Sequence, residues 1–267
     1  IMENEDRWQK RRRSYIGYAP TYENSVGHGN GVTGMFTPGL LYANKGEIEA
    51  CRNIWKGTSM LGKRATERSF REFASRVSIL HLATHTFLDD EDPQRSCFAF
   101  TNDQQDPEDG FLFCYELYNM NILANLVILS GCETGTGHNK KGEGIISLAR
   151  AFKYAGCPNI IMSLWKVNDQ TKKEIMILFN KNLKKGMEKD KALQRAKITY
   201  LKGTRNLHPV FWSSFVLIGN DDPIRHSGKG FLYGLILCCL LLLTIGTIRN
   251  RIVFMRYSNI QKNSQQK

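Results

Sequence analysis

The sequence holds no CxxC pair, no phosphate-binding glycine loop, no dinucleotide fingerprint, no cluster of metal-ligand residues and no internal repeat. These absences argue against nucleotide, dinucleotide and structural-zinc chemistry, and no cofactor or metal is expected. Seven cysteines, at 51, 97, 114, 132, 157, 238 and 239, form no regular disulfide framework. Reduced thiols are the simpler reading, with Cys51, Cys97, Cys114 and Cys157 filling small apolar gaps. Acids are scarce beside bases, 25 against 37, for a net charge of +12. That sign suits nucleic acid or an anionic membrane. The bases are dispersed, however, over Arg11-Arg12-Arg13, Lys140-Lys141, the Lys172 to Lys191 region and the last residues. Without one aromatic-laced stripe, no nucleic-acid partner is expected.

The chain is 42% hydrophobic, which is ample for a core. Strand and helix patterns alternate along it, as in an α/β fold. Ser14 to Ala19, Val77 to Ala83, the run from Leu126, Asn159 to Trp165 and Phe211 to Ile218 read as strands. The most apolar of them have no polar face, which fits parallel strands covered on both sides. Lys45 to Trp55, Lys63 to Ala74, Gly144 to Tyr154, Asp169 to Lys184 and Asp190 to Leu201 read as helices. Asp89 to Asp109, rich in Asp, Gln and Pro, reads as a surface loop.

Cys132 follows the apolar run Leu126-Val127-Ile128-Leu129-Ser130-Gly131, and His85 ends the earlier run Ile79-Leu80-His81-Leu82-Ala83-Thr84. A thiol becomes a strong nucleophile when a neighbouring imidazole takes its proton, and parallel sheets place such groups at the carboxyl ends of their strands. The pairing suggests a cysteine protease. His81 and His85 are four apart, but on a strand that separation is about 13 Å, too far for one metal ion. His81 is expected to be a packed or hydrogen-bonded core histidine. His138, in the glycine-rich stretch after Cys132, ranks well behind His85 as a base.

Several segments together resemble a known family. They are Leu61-Gly62-Lys63-Arg64-Ala65-Thr66, the run ending Ala83-Thr84-His85, Leu129-Ser130-Gly131-Cys132-Glu133-Thr134-Gly135, Ala151-Phe152-Lys153-Tyr154-Ala155-Gly156, Ser163-Leu164-Trp165 and His208-Pro209-Val210-Phe211-Trp212. In order and spacing they resemble CHAT-domain motifs over about Tyr15 to Asn220. CHAT domains are similar to caspases and separase and often follow tetratricopeptide repeats. The resemblance implies a caspase-like three-layer sandwich with a mostly parallel central sheet. It also implies His85 as general base, Cys132 as nucleophile, and backbone N–H groups of Thr86 and Cys132 as oxyanion donors for a protein or peptide substrate. Two positions depart from the pattern. Thr86 stands where the family usually has glycine, and threonine resists a positive φ. Gly131 stands where alanine is common, and is expected to be tolerated as the smaller residue.

Asp169 is the candidate specificity acid, because the Trp165 to Asp169 segment resembles the acidic S1 pocket of separase. A carboxylate there would favour a basic P1 residue. The competing role is an N-cap for the following helix, with Asn168 as rival. Glu133 and Glu143 are other nearby acids, and Trp165 and Trp212 are expected to pack the core.

Gly230 to Ile248 carries no charge. As a helix it would span roughly 28 Å, matching a bilayer core of about 30 Å. The reading is therefore a CHAT domain over 1–222, a linker over 223–229, a transmembrane helix over 230–248 and a basic tail over 249–267. The tail has no acid, which leans it towards the cytoplasm without fixing the side of the domain. The chain opens with Ile1 before Met2 and shows no cleavable signal, so it is expected to be the end of a longer protein, and the CHAT resemblance implies a tetratricopeptide region upstream. Two functions compete: a membrane-anchored cysteine endopeptidase, and an inactive CHAT-fold scaffold for protein–protein signalling at a membrane.

Overall fold

The computed structural model describes residues 15–22, 44–89, 91–102, 108–131, 143–224 and 249. The chain divides into two units, Ile1–Arg225 and His226–Lys267, and every strand and helix named below lies in the first. Among the described residues no helix is long and apolar enough to cross a membrane. The expected span over 230–248 lies outside them.

Among the described residues the central sheet has the order β2 (Thr58–Leu61), β1 (Tyr15–Ala19), β3 (Ile79–Leu82), β7 (Leu126–Leu129), β8 (Asn159–Ser163), β9 (Phe215–Ile218). All neighbours run parallel except β8 and β9. Successive side chains of a strand face opposite sides, so strands without a polar face need cover on both. Leu80, Leu82, Val127, Leu129, Ile160 and Met162 face one core. Helices α2 (Glu67–Phe73), α3 (Cys114–Leu117) and α4 (Glu143–Tyr154) cover it through Phe70, Leu117 and Phe152. Ile79, Leu126, Ile128 and Ile161 face the other. There α1 (Asn44–Trp55), α5 (Asp169–Lys184) and α6 (Lys189–Gly203) supply Trp55, Phe179 and Ala196. The expected three-layer α/β arrangement follows from this double burial.

Local chemistry moves several expected boundaries. Thr66 caps α2 by accepting the Ser69 N–H at 3.2 Å, so the helix begins after the cap and not at Lys63. The expected loop Asp89–Asp109 contains β5 (Cys97–Ala99), which pairs with β4 (Thr86–Phe87) and β6 (Phe111–Phe113) in a small antiparallel sheet. Strands this short leave little alternation to read. The expected strand Phe211–Ile218 is half helix: α7 (Pro209–Trp212) begins with a proline whose fixed φ suits a first turn, and His208 Nδ1 caps it by accepting the Val210 N–H. Cys51, Cys97, Cys114 and Cys157 are free and buried, as expected of gap-filling thiols. Burial raises all four thiol pKa values, those of Cys114 and Cys157 to about 12.

Candidate active site

β3 and β7 are parallel neighbours, with Leu82 paired to Leu129. The ladder runs one step further, since the Ser130 N–H donates to Leu82 O at 3.0 Å. The described residues that lead to Cys132, up to Gly131, therefore leave the sheet beside those that lead to His85. Cys132, Glu133 and His138 lie outside the described residues, but Gly131 does not. A Cβ built on Gly131 would run into the carbonyl oxygen of Thr84 and stand 3.4 Å from Thr86 Cγ2. The residue before Cys132 thus packs against both neighbours of His85. Glycine fits here, as expected of the smaller residue, and the structure adds that a side chain would not fit without a backbone shift.

His85 is 3% exposed. Its backbone N–H donates to the Tyr22 hydroxyl at 3.0 Å, and the Tyr22 ring lies 4.8 Å from the imidazole. The same hydroxyl donates to Ala99 O at 3.2 Å and bonds Thr84 Oγ1 at 2.7 Å. Burial raises the phenol pKa, so it stays protonated and able to donate. Tyr22 was invisible in the sequence because it belongs to no motif and no periodic element.

Thr86 pairs with Phe98 in β4, and the Ala99 N–H donates to His85 O at 2.9 Å. In an antiparallel ladder the bonded pairs alternate, so the Thr86 N–H is turned away from β5. Among the described residues Lys56 is the non-glycine with positive φ. Thr86 is therefore in extended backbone that suits a β-branched residue, and the expected conflict between threonine and a positive φ does not arise.

Asp169 opens α5, but Asn168 is its cap, accepting the N–H groups of Gln170 and Thr171 at 3.0 and 3.4 Å. The Asp169 carboxylate meets Lys172 Nζ at 3.1 Å, and Lys172 is 1% exposed. Glu143 begins α4. Trp212 packs against the α1/α5/α6 core as expected. Trp165 does not: β8 ends at Ser163, and the indole is 36% exposed while donating to Val210 O at 2.9 Å. Leu164, Leu207 and Val210 are exposed too. They form an apolar rim following the carboxyl end of β8, the strand beside β7. Among the described residues, carboxylates of Glu188, Asp190 and Asp221 lie within 4.8 Å of one another, with Glu188 already paired to Lys191.

The mostly parallel α/β sandwich, with His85 after one central strand and Gly131 after its parallel neighbour, is similar to the caspase-like fold class. Residues 9–220 match the CHAT domain, and the chain belongs to that family. It is 28% identical over 110 residues to Tetratricopeptide repeat protein 28 of Mus musculus, a match covering 41% of this chain and 4% of that protein. It is 25% identical over 197 residues to Tetratricopeptide repeat protein 28 of Homo sapiens, covering 62% of this chain and 8% of that protein. The chain therefore spans only a small part of the length of these relatives. The fold is similar to that of the Arg-specific cysteine proteinase gingipain R, with a TM-score of 0.50 at 10% identity over 82% of this chain and 48% of that one.

Proposed function

We propose that the chain is a cysteine endopeptidase. Cys132 attacks the peptide carbonyl, His85 takes the thiol proton and returns it to the leaving amine, and water hydrolyses the thioester. Thr86 and Cys132 supply N–H groups to the oxyanion, each such donor contributing about 3 kcal/mol in the transition state. The supporting observation is the seating of Gly131 on Thr84 and Thr86, next to His85. The exposed Trp165 rim is an apolar surface for residues flanking the scissile bond, and Asp169 selects a basic P1 side chain. A tetratricopeptide region upstream regulates access, and the 230–248 helix anchors the domain to a membrane.

The burial of His85, at 3% exposure, favours a second reading in which the fold serves protein–protein signalling without catalysis. One comparison decides. The chain and its Cys132→Ala variant are incubated with pooled peptides in reducing buffer, and cut sites are identified by mass spectrometry. Cuts made only with Cys132 present establish the peptidase. No cuts and no labelling of Cys132 by a thiol-reactive peptide, with upstream region and membrane restored, establish the scaffold.

A further inference from the structure

A fully buried polar cluster lies beneath the strand ends, on the α1 side of the sheet. His81 in β3 is 0% exposed, as are Glu47 of α1 and Ser130 after β7. His81 Nε2 meets Glu47 Oε1 at 2.8 Å and Ser130 Oγ at 3.1 Å, while Nδ1 meets the Tyr15 hydroxyl at 3.0 Å. The sequence led us to expect a hydrogen-bonded core histidine at this position, but not partners from β1, β7 and α1 together. Room for the cluster is built into the backbone. A Cβ on Gly17, the residue of β1 paired with His81, would stand 2.6 Å from the Tyr15 hydroxyl and 2.7 Å from Ile48 Cγ2.

Stability alone does not explain the cluster. Replacing a buried ion pair by apolar residues of similar volume is often neutral or stabilising. Here Glu47 Oε2 is buried with no hydrogen-bond partner among the described residues, an arrangement that costs about 1–3 kcal/mol. What the cluster does achieve is positional. Ser130 bonds to β3 through its N–H to Leu82 O, and its hydroxyl meets His81 Nε2 at 3.1 Å and Leu82 O at 3.4 Å. Ser130 lies two residues before Cys132 and His81 four before His85. One imidazole, oriented by a carboxylate, therefore fixes the register of both segments.

We propose that Glu47, His81 and Ser130 are positioning residues that set the placement of Cys132 relative to His85. The proposal rests on the peptidase reading. Misplacement of reacting groups by about 1 Å can cost about a hundredfold in rate, so a modest slip of the β7 end is measurable.

The test uses the whole chain with Ser130→Ala, Glu47→Gln and Glu47→Met. Alkylation of Cys132 by iodoacetamide at pH 6.5 is followed by mass spectrometry beside peptide cleavage and thermal melting. Ser130→Ala is expected to slow alkylation and kcat about tenfold, with KM within about twofold and an unchanged melting temperature. Glu47→Gln, which keeps an oxygen towards His81, is expected to retain most of the rate, and Glu47→Met to fall with Ser130→Ala. Wild-type rates in Ser130→Ala and Glu47→Met, or losses that track melting temperature in every variant, overturn the proposal. Failure of the peptidase reading looks different: the wild-type Cys132 itself alkylates no faster than a cysteine in a short peptide and cuts nothing. The proposal falls with it.

Discussion

The carbonyl oxygen of Thr84 occupies the space that a side chain on Gly131 would need. Gly131→Ala must push the segment before Cys132 away from the His85 segment. Overpacking of this kind costs about 1–3 kcal/mol. A lower melting temperature together with at least about tenfold slower Cys132 alkylation is expected. An alanine variant that melts and reacts like wild type would place the two segments further apart than described.

Tyr22→Phe removes the acceptor for the His85 N–H and the donor to Ala99 O while keeping the ring over the imidazole. Leaving a buried N–H unpaired costs about 1–3 kcal/mol. Cleavage is expected to slow with little change in KM, because the peptide bond that orients His85 is loosened. Hydrogen exchange of the His85 amide, measured by NMR, checks the cause directly and should quicken.

Asp169→Asn separates the observed pair with Lys172 from the proposed selection of a basic P1 residue. The pair with Lys172 is partly exposed on the acid side, at 29%, so its loss is expected to cost about 1–2 kcal/mol by denaturant melting. Peptide libraries should show the preference for Arg or Lys at P1 disappearing while total cutting continues. Retention of that preference would move basic selectivity to another acid.

Lys189 gives a stability signature. It is 1% exposed and donates to Asn220 Oδ1 and Asp222 O, and burial lowers its pKa to about 8. Between pH 8 and about 10.5 the unfolded chain holds this proton and the folded chain does not, so this group makes stability rise with pH across that window. Below pH 8 both forms are protonated and the contribution is flat. In Lys189→Met the rise should be smaller than in wild type, as read from urea midpoints across the window.

The middle of the sheet was legible because β3 and β7 are buried on both faces and apolar except for His81. Ile79 to Leu82 and Leu126 to Leu129 admit no solvent-facing register, and helix Asp169–Lys184 shows its full amphipathic length. β2 was missed because Thr-Ser-Met-Leu at the sheet edge is only partly buried and carries no strong pattern. β4 and β5 are too short to show a period. His85 was legible from its place after an apolar run. Tyr22 and Glu47 were not, because each reaches the site across 63 and 34 residues of chain respectively, and contact at that range leaves no trace in local spacing.

The same long reach governs when the site comes into being. His81 takes its partners from positions 34, 49 and 66 residues away. Contacts so distant in sequence close late in folding, because the entropy of the intervening loops is lost before any of them forms. A chain still emerging from the ribosome, or one partly unfolded by damage, therefore has its histidine and cysteine segments but not the frame that aligns them. On the proposed peptidase reading, Cys132 is expected to become reactive only once the central strands have assembled, so a growing polypeptide is guarded against its own thiol.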